Sequence, residues 1–161
     1  MLTTEQLATL KAAILADMTL AQWAATGRMA EEIAHALNET ATPAFVVWRT
    51  AVGPGEWDDA ILTTPDAGKQ LDGLTASKRD SLFWALGKTL NPAVPAVRVS
   101  LDDFCGSQNT LKAAIVAAQK RNATRAEKAL ATGTGTTASP ATLTHEGALT
   151  YQDVEAALRL A

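Results

Sequence analysis

The sequence has one cysteine and two histidines, which restricts the chemistry it can support. Cys105 has no second cysteine to pair with, so an intramolecular disulfide and a cysteine-rich zinc site are excluded. A nucleophilic thiol at Cys105 would need a histidine brought to it by the fold, and only His35 and His145 exist. The neighbouring carboxylates of Asp58 and Asp59 diverge by about 100° on a helix and do not share a site. We therefore predict that the protein is not an enzyme and has no catalytic residue, cofactor or metal site.

Long apolar runs are also missing. No stretch approaches the roughly 18 apolar residues that a membrane helix needs, and no signal peptide opens the chain. The net charge of −3 argues against a general nucleic-acid binder. We expect no membrane partner and a cytoplasmic location where the protein is made.

Aromatic residues make up only 5% of the chain although 47% of it is hydrophobic, because alanine occurs 33 times. Alanine is the strongest helix former, whereas strands favour β-branched and aromatic residues. The composition therefore predicts an all-α protein, a small multi-helix bundle with an extended C-terminal arm. A chain of 161 residues is long enough to bury a hydrophobic core.

Capping residues and periodicity place the helices. Capping sequences at Thr3, Thr124 and Thr150 mark three helix starts, and an amphipathic helix is expected from about Arg28 to Asn38. Residues 45–48 are ambiguous between a buried strand and a helix, and we favour a helix because no partner strand of similar strength exists. The residues expected in the core are Leu10, Ile14, Ile33, Leu37, Trp48, Leu82, Phe83, Leu111 and Ile115.

The C-terminal part has a different composition from the rest. Residues 1–131 are predicted to form a helical domain and residues 132–161 a flexible arm, because 132–137 contain only small residues. Alternation around Glu146-Gly147 allows one short β-hairpin before a terminal helix. The arm is expected to dock on a neighbouring subunit, and the alternative is that its last helix folds back onto its own chain. The docking candidates are Leu143, Leu149, Tyr151, Val154 and Leu158.

Charge is distributed unevenly along the chain. Residues 1–60 carry three basic and eight acidic side chains, whereas residues 111–128 carry five basic side chains and one acidic. Such polarity suits head-to-tail contact between copies or contact with an acidic partner, and the alternative is a solvated helix face. The candidates for facing a partner or DNA, together called the basic corner, are Lys120, Arg121, Arg125 and Lys128.

Short phrases of the sequence resemble a known family. The phrases are LKAAILAD at residues 10–17, FVVWRT at 45–50, ATRAEKALATGTGT at 123–136, SPATL at 139–143 and EGALTYQDV at 146–154. With these phrases, its size and its composition, the chain resembles small structural proteins of tailed bacteriophages, the head–tail connector (neck or adaptor) components. Residues 64–100 match nothing in that pattern.

The resemblance implies a virion structural protein that oligomerises into a ring and bridges the portal protein and a neighbouring neck or tail protein. It also implies non-specific contact with DNA in the channel, and a location in the host cytoplasm during assembly and in the virion afterwards. The alternative function is a small nucleic-acid-binding module that uses the basic corner around residues 120–128, with binding that weakens steeply with salt.

Overall fold

The computed structural model describes residues 2–26 and 30–160 and confirms the predicted all-α class. Helices make up 60% of it, and the only sheet among these residues is a two-stranded antiparallel pair. The first two residues of the helix expected from Arg28 lie outside the described part. In chain order the elements are α1 (Thr4–Ala16), α2 (Met18–Ala25), α3 (Ala30–Asn38), β1 (Val46–Trp48), α4 (Pro54–Thr63), a 3-10 helix (Gly68–Gly73), α5 (Ala76–Leu86), α6 (Pro95–Cys105), α7 (Asn109–Ala118), β2 (Lys120–Asn122), α8 (Arg125–Leu130) and α9 (Tyr151–Arg159).

Contacts divide the chain into two compact units, which we describe separately. Unit 1 contains the residues up to Val47 and those from Asn122 onward, and unit 2 contains Trp48–Arg121. The composition predicted a division after residue 131, with residues 132–161 as a separate arm. The structure instead groups the described part of that arm with unit 1, because α9 packs against α1 and α3.

Unit 1 is held together by a hydrophobic cluster to which segments far apart in the sequence contribute. α1 provides Leu10 and Ile14, α3 provides Ile33, and α9 provides Val154, all with no exposed surface. α8 also packs on α1 and α3. Burial of one such side chain is worth about 1.5–3 kcal/mol relative to exposure, so this cluster is a major source of the stability of unit 1.

The capping sequences act as their composition indicates. Thr3, Thr124 and Thr150 each accept a hydrogen bond on the side chain from the backbone N–H three residues later, and the side chain at that later position accepts one in return. These reciprocal bonds satisfy N–H groups that have no partner inside the helix. Local sequence is therefore sufficient to fix the starts of α1, α8 and α9.

The helix expected over residues 45–48 is wrong, because Val46–Trp48 form strand β1. The N–H of Val46 donates to the carbonyl O of Gly135 at 2.7 Å, and the N–H of Ala141 donates to the carbonyl O of Val46 at 2.9 Å. These partners are small residues in irregular segments about 90 positions away. The sheet partner of β1 is β2, the polar segment Lys120–Asn122. Because neither β2 nor the irregular segments look like strands, the sequence carries no pairing signal for β1.

Residues 132–150, all of which are described, contain no helix and no strand. The hairpin expected around Glu146-Gly147 does not form, and backbone hydrogen bonds hold this irregular segment in place. Thr132 and Thr142 exchange two backbone hydrogen bonds of 2.9 Å. Gly135 is buried with a φ of 65°, and a Cβ atom at this position would lie 2.1 Å from the Phe45 ring. The small residues that indicated a flexible link are thus also the ones that allow close packing.

Unit 2 packs four α-helices around a second hydrophobic cluster, with α4 against α7 and α5 against α6. Trp57, Leu82 and Leu111 are fully buried in it. The 3-10 helix contributes Gln70, whose Oε1 accepts hydrogen bonds from the N–H groups of Thr110 at 2.9 Å and Leu111 at 3.0 Å. Gln70 therefore caps the start of α7, where a helix has free N–H groups.

Seven of the nine residues expected in the core are buried, and Phe83 and Trp48 are the exceptions. Phe83 is 51% exposed, whereas its neighbour Leu82 is fully buried. Adjacent residues on a helix point about 100° apart, so both cannot face the same core. Trp48 is half-buried, at the junction where β1 leaves unit 1.

We expect Gly135→Ala to destabilise the fold more than Gly147→Ala. Both glycines have a positive φ, 65° and 108°, so alanine has a backbone cost at either position. Only at Gly135 does the new Cβ also meet the Phe45 ring, since nothing lies within 4 Å at Gly147. The extra loss in free energy of unfolding should be about 1–3 kcal/mol, measured by chemical denaturation. Equal losses would contradict the close packing at Gly135.

Candidate protein-interaction surface

The structure divides the predicted basic corner between the two units. Lys120 and Arg121 lie in β2 within unit 2, and both are half-buried. Arg125 and Lys128 lie in α8 within unit 1. Each pair therefore has its own surroundings, which decide what its charges can bind.

In unit 1, Arg125 is held by groups of its own chain. Its Nη2 lies 2.6 Å from Oδ2 of Asp17, and its Nη1 lies 3.5 Å from the carbonyl O of Ala36. Lys128 is exposed, with Nζ 5.8 Å from the centroid of the Phe45 ring. Both cations line a cavity of about 350 Å³, but so does Asp17, whose carboxylate repels a phosphate. This arrangement does not favour a phosphate-binding pocket.

In unit 2, Lys120 stacks on an aromatic ring. Its Nζ lies 5.2 Å from the centroid of the Trp48 ring, and the guanidinium carbon of Arg98 lies 4.2 Å from the same centroid. Burial lowers the pKa of both Arg98 and Lys120. Proteins that bind single-stranded nucleic acid stack bases on such rings, whereas here the chain's own cations take that place.

Four of the five docking candidates on the predicted arm pack inside unit 1. Leu149 and Val154 are 3% and 0% exposed, and Leu158 packs against the same cluster. Leu143 packs against a smaller cluster of the unit. Tyr151 is 49% exposed and is the candidate that presents a large area to solvent. The structure thus places the terminal helix on its own chain, the alternative that the sequence left open.

Two polar residues that fix the arm were not recognised in the sequence. Nδ2 of Asn38 donates to the carbonyl O of Leu149 at 2.9 Å, and the N–H of Leu149 donates to Oδ1 of Asn38 at 2.8 Å. Glu127 is 2% exposed, and its two carboxylate oxygens accept from the N–H groups of Thr124 at 3.0 Å and Gly147 at 3.3 Å. The capping box indicates the first of the Glu127 bonds. The bonds to Leu149 and Gly147 join segments distant in sequence and have no local signal.

The pKa of Asp153 is lowered at the start of α9. Burial acts to raise it, but hydrogen bonds from the hydroxyl and the backbone N–H of Thr150, at 2.7 and 2.9 Å, outweigh burial and favour the carboxylate. A carboxylate in the first turn also interacts favourably with the helix dipole. Asp153 is therefore a helix cap, and its charge is engaged in positioning α9.

Cys105 is fully buried in unit 2. Burial raises its pKa to about 11, and nearby Asp102 acts in the same direction against Lys112 and Lys78. The thiol is therefore protonated at neutral pH, and a thiol is a nucleophile only as the thiolate. Its role in the structure is that of a small apolar side chain in the core.

Unit 2 has an exposed apolar surface that the sequence analysis did not anticipate. Between α5 and α6 lies a groove of about 270 Å³, here called the α5–α6 groove. Its lining is seven apolar residues and one serine, namely Trp84, Ala85, Leu90, Ala96, Val97, Ser100, Leu101 and Phe104. Trp84 is 67% exposed, and Phe83 on α5 and Val99 on α6, which do not line the groove, are 51% and 69% exposed. The sequence signal for this surface was the apolar run of residues 82–86, too wide for one helix face to bury.

A second cavity, of about 620 Å³, lies in unit 1 and is acidic. The carboxylates of Glu31, Glu32 and Glu39 line it, together with the ring of Trp23. Arg125 also reaches it, so its charge is partly balanced. Groups of three or more histidine, cysteine, aspartate or glutamate side chains placed to hold a metal ion are absent from residues 2–26 and 30–160.

The same part of the chain contains no helix that is both long and apolar enough to span a membrane. Comparisons with protein-family models, with characterised proteins and with solved structures found no match. The resemblance to connector proteins therefore stays a prediction.

We expect Val154→Ala to destabilise unit 1, whereas Tyr151→Ala on the same helix should not. Val154 has no exposed surface and Tyr151 is half exposed. The loss in free energy of unfolding should be about 1–3 kcal/mol for Val154→Ala and within about 0.5 kcal/mol for Tyr151→Ala, measured by chemical denaturation. A Val154→Ala protein as stable as the wild type would show that α9 is not docked on its own chain in solution.

Proposed function

We propose that this chain is a virion assembly protein: a head–tail connector component that forms a ring and bridges the portal protein and a neighbouring neck or tail protein. The observation that supports an assembly role is the exposed apolar surface around the α5–α6 groove. The resemblance of the sequence phrases to connector proteins supplies the particular class. In this role the protein acts by contact, in the virion and in the host cytoplasm during assembly, and not as an enzyme.

The composition of this surface is that of a protein interface. Contiguous exposed apolar patches on soluble proteins mark sites of interaction. Tryptophan is enriched among the residues that contribute most to binding, and charged residues are depleted at interface centres. Trp84 stands at the edge of a groove whose lining carries no charge. Covering this groove with another protein would remove the exposed ring of Trp84 from water.

A nucleic-acid-binding module is the second candidate, and the basic corner supports it less well. Arg125 forms an ion pair with Asp17, and Lys120 stacks on Trp48. Neither arrangement presents a cation ready to neutralise a phosphate. Non-specific contact with DNA passing through a ring remains part of the proposal, since Lys128 is exposed.

The proposal is tested by self-association and by the composition of particles. Sedimentation velocity over a range of concentrations, followed by electron microscopy, should show the purified wild-type protein forming closed rings. Mass spectrometry of purified phage particles should detect the chain as a virion component. DNA binding by a monomer, weakening steeply with salt, together with absence from particles, would favour the nucleic-acid module instead.

We expect Trp84→Lys to weaken self-association about tenfold or more, because it replaces the exposed aromatic ring of the groove with a charge. Leu62→Lys is the matched control, since Leu62 is 80% exposed on α4 of the same unit and does not line the groove. Both variants should keep the helical circular-dichroism spectrum and the melting temperature of the wild type. Equal association of the two variants would contradict the assignment of the interface to this surface.

A further inference from the structure

We propose that the α5–α6 groove of one copy receives a projecting apolar corner of a second copy. The corner, here called the α1–α2 corner, consists of Leu15 near the end of α1 and Met18 at the start of α2. The groove belongs to unit 2 and the corner to unit 1, so the contact is head-to-tail. This inference rests on the proposed function, which requires self-association, and it adds which two surfaces meet.

The two residues of the α1–α2 corner are as exposed as interface residues are when no partner is bound. Met18 is 89% exposed, more than any other large apolar side chain that the structure describes, and Leu15 is 53% exposed. Single exposed apolar residues are common, but here two project from the same helix junction. Methionine has a flexible, polarisable side chain that fills irregular apolar gaps, so Met18 is suited to enter a groove.

The corner is also held in a fixed conformation before any partner binds. Oδ1 of Asp17 accepts hydrogen bonds from the N–H groups of Thr19 at 3.0 Å and Leu20 at 3.1 Å, which caps α2. Oδ2 of the same carboxylate is the ion-pair partner of Arg125 at 2.6 Å. Asp17 therefore fixes the backbone that carries Met18, and a backbone fixed in advance loses less conformational entropy on binding.

The groove has the size and lining for one or two side chains. Its volume of about 270 Å³ lies below the roughly 300–1,000 Å³ typical of small-molecule pockets, and its lining offers one polar side chain, Ser100. Such pockets fix a small ligand with several convergent polar groups, which this groove lacks. A projecting apolar side chain of another protein is the occupant that matches both its volume and its lining.

Charge selects a second copy as the source of that side chain. Unit 1 has five basic and nine acidic side chains, a net charge of −4, whereas unit 2 has nine basic and eight acidic, a net charge of +1. At the groove itself, Nζ of Lys88 lies 4.2 Å from the centroid of the Trp84 ring. On unit 1, Trp23 of α2 lines the acidic cavity beside the carboxylates of α3. The acidic unit 1 of one copy is thus attracted to the cation at the groove of another, whereas two acidic units repel each other.

A head-to-tail contact leaves one free groove and one free corner after each addition. Such heterologous interfaces form closed rings when the rotation between neighbours closes, and open filaments when it does not. The contact therefore predicts that a variant lacking one surface can still bind a variant lacking the other, which a contact between two identical surfaces does not allow.

The test mixes Met18→Lys and Trp84→Lys, each of which retains one intact surface. Sedimentation velocity should show each variant alone to associate at least tenfold more weakly than the wild type. In a 1:1 mixture the intact corner of Trp84→Lys fits the intact groove of Met18→Lys, so a heterodimer should form and stop there, because the remaining surfaces carry two lysines. Gln152→Lys is the control in unit 1, since Gln152 is also exposed but lies on α9. It should associate like the wild type.

The outcomes separate this inference from the proposed function. Normal association of Met18→Lys, with weakened association of Trp84→Lys, would overturn the corner as the occupant and leave the assembly role intact. Two variants that stay monomeric even when mixed would show that the contact is between identical surfaces, and would overturn the head-to-tail arrangement. A wild-type protein that stays monomeric would overturn the self-contact and the ring together, and a different protein would then be the partner of the groove.

Discussion

Unit 1 depends on the burial of α9 against α1 and α3. Leu10, Ile33 and Val154 have no exposed surface only because helices from opposite ends of the sequence cover one another. The amide of Asn38 adds a pair of hydrogen bonds to the backbone at Leu149, which sets the position at which the chain enters α9. A C-terminal segment that appears detachable in the sequence is therefore part of the core that stabilises the first helix.

Cations of the basic corner interact with other residues of their own chain. Arg125 balances Asp17, and Asp17 in turn caps α2, so a cation suggested by sequence to face a partner instead stabilises a helix junction. In unit 2, Lys120 and Arg98 likewise interact with their own chain, because both stack on the Trp48 ring. Cations that interact with their own chain contribute less to binding a polyanion. The exposed apolar surface is therefore a better candidate for binding a partner than these cations are.

The two apolar surfaces that we propose to meet differ in charge. The α5–α6 groove carries Lys88 at its edge, and the α1–α2 corner belongs to the acidic unit. In the proposed contact, charge would orient the encounter and apolar burial would then hold the two copies together. The fixed geometry of Asp17 keeps Met18 available for that contact.

The sequence by itself determined the class of the fold, most of the core and the helix starts, because alanine content, helical periodicity and capping boxes act within a few residues. Tertiary structure alone decided that Val46–Trp48 form a strand, since its backbone pairs with residues such as Gly135 that are not strand-like. It also decided that Phe83 faces solvent while Leu82 is buried, because only packing selects which face of an apolar helix is covered. The α5–α6 groove could not be predicted from the sequence for the same reason. Whether a side chain is exposed depends on contacts between residues far apart in the chain, and local sequence does not reveal those contacts.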